Sequence, residues 1–134
     1  MKEAEQPKKS PRARLRRRSE FLRVAASGLS RSARAFKVQM AAREEGSSEP
    51  RFGFTVTKRV AKAVGRNRIR RRLKEALRLS GALAAAQGCD YVFVARREAL
   101  TAPFADLEAQ MAQTLRRLSR DRTKTHQDQA SKEP

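Results

Sequence analysis

Between Thr57 and Leu79 the chain carries Lys58, Arg59, Lys62, Arg66, Arg68, Arg70, Arg71, Arg72, Lys74 and Arg78 against the single acid Glu75, a net of +9 in 23 residues. A stretch so charged cannot be buried whole. Yet Ile69, Leu73, Ala76 and Leu77 recur within it, and Ser80 follows it, at helical spacing, which predicts a helix over roughly Val64 to Leu79 with one third of its circumference facing a core. Asn67, Arg70, Arg71, Lys74 and Arg78 fall on the far side. Arg66, Arg70 and Lys74 stand four apart with no acid between them, a like-charge spacing that destabilises an isolated helix. A solvated face normally alternates sign, so this one reads as a docking surface for a polyanion.

The whole chain has 134 residues and a formal net charge of +18, half of it in that stretch. The length suits one domain with tails. Nucleic acid and anionic lipid are the partners that compensate such a charge. No window approaches the roughly 18 apolar residues of a spanning helix, and no apolar block follows the basic N-terminus, so neither a membrane span nor a secretory signal is expected. The lone Cys89 forms no intrachain disulfide, which fits a reducing compartment, and the cytoplasm is the expected location. One His and one Cys cannot assemble a zinc site, and His126 lies in a polar stretch without periodicity. Phosphate-cradling glycine motifs are absent and the acids are scattered singly. No catalytic or metal-ligating set is assigned, and no obligate protein partner is expected.

Residues 1–14 read as a disordered basic arm, 15–120 as the folded domain and 121–134 as a disordered tail. Ser19 is placed to cap a short helix that carries Phe21 and Val24 and stops near Gly28. Phe36, Val38 and Met40 alternate with Lys37 and Gln39 in a first strand. Phe52, Phe54 and Val56 alternate with Gly53, Thr55 and Thr57 in a second, and the two are expected to form an antiparallel hairpin. Asp90 to Ala95 is a continuous apolar run, a strand covered on both faces. Phe104, Leu107, Met111, Leu115 and Leu118 form the core stripe of a last helix starting near Thr101. The order α-β-β-α-β-α predicts an α+β sandwich, one mixed sheet packed with helices.

Arginine outnumbers lysine in the basic helix, and its planar fork suits phosphate and base stacking. Asn67 among the arginines can meet a base edge or a 2′-hydroxyl, which favours RNA. The block from Arg51-Phe-Gly-Phe-Thr-Val-Thr-Lys-Arg to Val64-Gly-Arg-Asn-Arg-Ile-Arg-Arg-Arg-Leu-Lys-Glu-Ala-Leu-Arg78 closely resembles the signature of the bacterial ribonuclease P protein subunit, whose hallmark is the Arg-Asn-Arg helix, here Arg66-Asn67-Arg68. Ser19-Glu20-Phe21, Arg34-Ala-Phe36 and Asp90-Tyr-Val-Phe-Val-Ala-Arg96 extend the likeness over residues 15–118.

The resemblance implies an accessory subunit of an endoribonuclease. A catalytic RNA removes the 5′ leader of precursor tRNA by metal-activated hydrolysis, and the protein binds both that RNA and the leader. Mg²⁺ is then held by RNA and substrate phosphates and none by the protein. The resemblance also implies a left-handed βαβ crossover, against the usual hand. By the same likeness Arg66, Arg68, Arg70, Arg71 and Lys74, with Lys58, Arg59 and Lys62, meet the catalytic RNA, while Phe21, Phe36, Thr55, Thr57 and Asn67 line or edge the leader cleft. Ala25 and Gln39 depart from aromatic residues common in the family. Arg72, nearer the apolar edge, stays open between a structural role and RNA contact. The competing reading is a stand-alone RNA-binding or ribosome-associated protein, since ribosomal proteins share the sandwich topology.

Overall fold

A computed structural model describes residues 13–42, 49–81, 85 and 88–132. Its elements are β1 (Ala13–Arg14), α1 (Arg18–Ala26), β2 (Leu29–Ser32), β3 (Phe36–Ala42), β4 (Arg51–Thr55), α2 (Ala63–Ala76) with a π-helical turn over Leu77–Gly81, β5 (Cys89–Ala95), α3 (Glu98–Thr101) and α4 (Phe104–Lys132). The five strands form one mixed sheet in the order β1-β4-β5-β3-β2. The α+β sandwich with one mixed sheet is as the sequence leads one to expect.

The expected hairpin is not there. β5 lies between β3 and β4, antiparallel to the first (Val38 opposite Phe93) and parallel to the second (Phe54 opposite Phe93). The reason is in β5 itself. Cys89, Asp90, Tyr91, Val92, Phe93 and Ala95 are all buried, and a strand apolar on both faces takes the centre of a sheet where layers cover both sides. β4, α2 and β5 thereby make a parallel βαβ unit. β2 carries no apolar alternation, only Leu29 among Ser30, Arg31 and Ser32, so periodicity gives no sign of this exposed edge strand.

Two cores follow from the alternation. On one face Phe36, Val38, Met40, Phe52, Tyr91 and Phe93 pack against Ile69, Leu73 and Ala76 of α2 and Leu107, Met111, Leu115 and Leu118 of α4. Phe93 sits between Phe36, edge-on at 5.6 Å, and Phe54, stacked at 5.2 Å. On the other face Leu15, Val24, Ala41 and Val92 form a smaller cluster under α1, joined by Phe21 and Val94. Burial of this cluster is what holds a nine-residue helix that would be marginal alone.

The cap of α1 is Glu20 rather than Ser19: its Oε1 accepts the backbone N–H groups of Arg16 and Arg17 at 2.9 and 3.0 Å. A carboxylate one residue further on reaches two orphan donors where a hydroxyl satisfies one. After the helix, Gly28 takes φ +88°, the left-handed conformation that suits glycine.

Regular elements run past both ends of residues 15–120. Ala13 and Arg14, assigned to the arm, pair in parallel with Arg51 and Phe52, and Leu15 N–H continues the ladder to the Phe52 carbonyl at 3.0 Å; residues 1–12 lie outside the described residues. At the other end α4 runs to Lys132, through the backbone of the expected tail and of His126. No Pro or Gly interrupts residues 104–132, so nothing in the backbone chemistry ends the helix where its apolar stripe ends.

Candidate nucleic-acid interface

The buried stripe of α2 fixes the orientation of everything opposite it. With Ile69, Leu73 and Ala76 in the core, Asn67, Arg68, Arg71 and Lys74 stand exposed, and Lys58, Arg59 and Lys62 are exposed in the turn that leads from β4 into the helix. That turn is closed by the Val60 N–H on the Thr57 carbonyl at 3.1 Å. Arg66 and Arg70 are half-buried. Arg66 donates from Nη1 to the Ala61 carbonyl at 3.0 Å, bracing the turn against the helix. Arg70 donates from Nη1 to the Asn67 amide oxygen at 3.1 Å, which leaves the Asn67 NH₂ as the outward donor.

The one acid of the helix does not neutralise this face. Glu75 is engaged by Arg78, Nη2 to Oε2 at 2.6 Å and Nε to Oε1 at 3.1 Å, and that hydrogen bonding holds its carboxyl below the usual range. No described acid pairs with Lys58, Arg59, Lys62, Arg68, Arg71 or Lys74, and the first turn of α2 has no acidic residue. Such a row of cations suits the repeating charge of a phosphate backbone.

Arg72 is settled otherwise. Its guanidinium donates to the carbonyls of Ala99 at 2.9 Å, Leu100 at 2.7 Å and Ala102, three acceptors around the end of the short α3. Burial, with Arg68 nearby, pushes its pKa down. Arg72 is structural: it ties α3 to α2 and anchors the chain's entry into α4.

The expected cleft residues divide by strand alternation. Phe36 is fully buried on the α2 and α4 face, so its assignment to the cleft is wrong; no RNA reaches it. Thr55 points to the α1 face, in one cross-strand row with Val94 and Lys37, all three half-buried; the next row holds Gly53, Val92 and Gln39. Thr57 is exposed beyond the strand end. Phe21 lies directly over Gly53, where a Cβ would come within 2.6 Å of the ring. The space that glycine opens on this face is therefore filled by the α1 aromatic, and the floor beyond it is Thr55, Val94, Lys37 and Gln39. Asn67 keeps company with Arg70 on the layer opposite Phe21.

Lys37 shares the row of Thr55 and Val94 but is absent from the set that the family likeness suggests. Its neighbour Phe36 stands in that set instead, although Phe36 and Lys37 must point to opposite faces and Thr55 lies off the Phe52 and Phe54 face. The alternation contains the answer.

A charge cluster under α1 is equally invisible in the sequence. Asp90, fully buried, receives Arg51 through Nε and Nη2 at 2.9 and 2.8 Å and Arg23 through Nη2, and Arg51 Nη1 reaches Glu20 Oε2 at 3.1 Å. These groups are far apart along the chain and meet only through the parallel register of Arg51 opposite Asp90.

The family model for ribonuclease P matches residues 10–119, which takes in the described sandwich through the turn of α4 that buries Leu118. The chain belongs to the ribonuclease P protein family. It is 45% identical over 109 residues to the ribonuclease P protein component of Brucella suis, covering 76% of this chain and 77% of that one. The Bartonella quintana ribonuclease P protein component is 40% identical over 108 residues, 77% of this chain and 80% of the relative. Among solved structures, the RNase P protein from Thermotoga maritima superposes with a TM-score of 0.68 at 27% identity, over 79% of this chain and 97% of that one. The family span takes in β1 and the entire exposed face of α2, so the basic surface and the α1 face both lie within it.

Proposed function

We propose that this chain is the protein subunit of ribonuclease P, binding the catalytic RNA through α2 and its preceding turn and the 5′ leader of precursor tRNA on the α1 face. The observation that carries the reading is the exposed row Lys58, Arg59, Lys62, Asn67, Arg68, Arg71 and Lys74, without described acidic partners, on a family member whose Arg66-Asn67-Arg68 matches the family hallmark. Arg66 and Arg70 support that row through Ala61 and Asn67 and add charge to it.

The leader is placed over the floor formed by Thr55, Lys37 and Gln39, between Phe21 and the strand ends at Thr57. One aromatic ring, a cation and three polar side chains suit a single strand whose bases stack and whose phosphates need one positive group. Asn67, expected at the cleft edge, stands on the other layer and belongs with the α2 row that meets the catalytic RNA.

The chemistry belongs to the RNA partner. The described residues offer no magnesium cage, for no three His, Cys, Asp or Glu side chains among them cluster to hold a metal ion and the buried Asp90 is engaged by two arginines. Mg²⁺ would sit among RNA and substrate phosphates, and the protein raises the local concentration and alignment of the precursor. Among the described residues no helix is long and apolar enough to cross a membrane, and the site of action is the cytoplasm, where precursor tRNA is made.

The test is cleavage of a precursor tRNA by the catalytic RNA with and without this protein at near-physiological Mg²⁺. The protein is expected to accelerate cleavage at that Mg²⁺ and to favour precursor over mature tRNA. Equal affinity for the two in the reconstituted enzyme would overturn the leader-binding reading.

A further inference from the structure

The polar contacts that tie the first turn of α1 to the sheet converge on one guanidinium. Arg51 opens β4 on the α1 face, and its two bonds to the carboxylate of Asp90 on β5, at 2.9 and 2.8 Å, fix it to the centre of the sheet. Its remaining Nη1 reaches up 3.1 Å to Glu20 Oε2 in the first turn of α1. The other Glu20 oxygen holds the backbone N–H groups of Arg16 and Arg17, so the acid is bound on both sides and transmits position as well as charge. Phe21 follows Glu20 immediately, and its ring leaves that turn to lie on Gly53. One turn on, Arg23 adds a second tether to Asp90 and donates to the Ala42 carbonyl at 3.2 Å. A bidentate pair on a fully buried carboxylate leaves the guanidinium no freedom to swing, and a lysine in its place has no planar fork with which to keep the two bonds to Asp90 and reach Glu20 as well.

We propose that Arg51 is a positioning residue of the leader cleft, setting the height and tilt of α1 over the sheet through Glu20 and so the place of the Phe21 ring beside Thr55 and Lys37. The inference rests on the reading that this face receives the leader. Arg51 does not itself touch the substrate: it is half-buried beneath α1, and its described hydrogen bonds go to Asp90 and Glu20. A shift of the ring by about an ångström, or a tilt of its plane, weakens its overlap with a base, while the basic face of α2, on the other layer, stays as it was.

The experiment uses the holoenzyme reconstituted from the catalytic RNA and the full chain, with precursor and mature tRNA as ligands. Arg51→Lys is expected to lower the ratio of precursor to mature affinity by about tenfold. KM for precursor should rise accordingly, while kcat at saturating precursor and affinity for the catalytic RNA hold. Glu20→Gln should give a loss of the same kind, and the double variant should lose no more than the larger single loss, because all three break one link. Should Arg51→Lys fail to fold by circular dichroism, Glu20→Gln carries the test alone. Additive losses, or a loss accompanied by equal weakening of catalytic-RNA binding, would overturn the proposal. A ratio unchanged in both variants but lowered by Phe21→Ala overturns the positioning role and leaves the cleft intact; a ratio unchanged in all three, Phe21→Ala included, removes the cleft reading and the proposal together.

Discussion

Arg51 stands opposite Asp90 in the parallel β4/β5 pair, and its fork takes both oxygens of a carboxylate that has no solvent exposure. Removing one member of a buried pair costs more than the pair contributes, since the partner is left uncompensated. Asp90→Asn is therefore expected to destabilise by about 3 kcal/mol, the low end for such changes because Arg51 and Arg23 keep partial access to water. Urea unfolding followed by circular dichroism measures it.

Glu20 gives the fold an acid limb. Hydrogen bonds from the backbone of Arg17 and Arg16, then the charge of Arg51, hold its carboxyl below the ordinary 4.5, outweighing burial and Asp90. A carboxyl depressed in the folded state contributes stability that is present above its unfolded value and is lost as pH falls through the folded one. The urea midpoint should therefore begin to drop as pH falls through the ordinary 4.5 and go on dropping below it, and Glu20→Gln should flatten that drop.

Arg68→Ala and Arg71→Ala remove exposed cations that no described acid neutralises. Each is expected to weaken binding of the catalytic RNA and to reduce the log–log salt slope by about 0.7 to 0.9 for every phosphate that the variant leaves unneutralised, with unfolding unchanged. Filter binding across a potassium chloride series reads both.

Arg72→Ala belongs to a different category of loss. Three carbonyls around the end of α3 lose their donor, at a cost of about 1–3 kcal/mol in stability, and the salt slope for RNA should stay where it was. Unfolding and the same salt series, run side by side, separate it from Arg68.

Phe36→Ala and Lys37→Ala, adjacent in sequence, should behave as opposites. The first opens a cavity beside Phe93 and costs about 3–5 kcal/mol. The second leaves the core untouched and lowers precursor affinity with a salt-dependent loss. Urea unfolding and precursor titration at two salt concentrations tell them apart.

Much of this is legible in the amino-acid order, and the failures share a cause. The stripes of α2 and α4, the central strand at Asp90 to Ala95 and the basic face are local periodicities, and each appears where its spacing puts it. What spacing cannot express is which strands adjoin. The antiparallel hairpin follows from proximity along the chain alone, and β5 displaces it because a strand apolar on both faces takes the centre of the sheet, where a layer covers each side. The same blindness hides the meeting of Glu20, Arg23, Arg51 and Asp90, residues up to 70 positions apart that share a site only after the parallel register is set. Phe36 is a different error, for alternation alone separates it from Thr55. Arg72 can be assigned only once α3 brings its carbonyls to the flank of α2.

Ile69, Leu73 and Ala76 supply core while the other side of the same helix gathers cations without acids between them, so α2 carries the fold's adhesion and its self-repulsion on one rod. Folding and assembly are then thermodynamically linked. A polyanion that binds only the folded chain relieves the repulsion and adds its own mass-action term, about 2.7 kcal/mol at a hundredfold excess over Kd. The free protein should melt at a temperature that climbs with ionic strength, and the RNA-bound protein at one that falls with it, two slopes of opposite sign from a single helix.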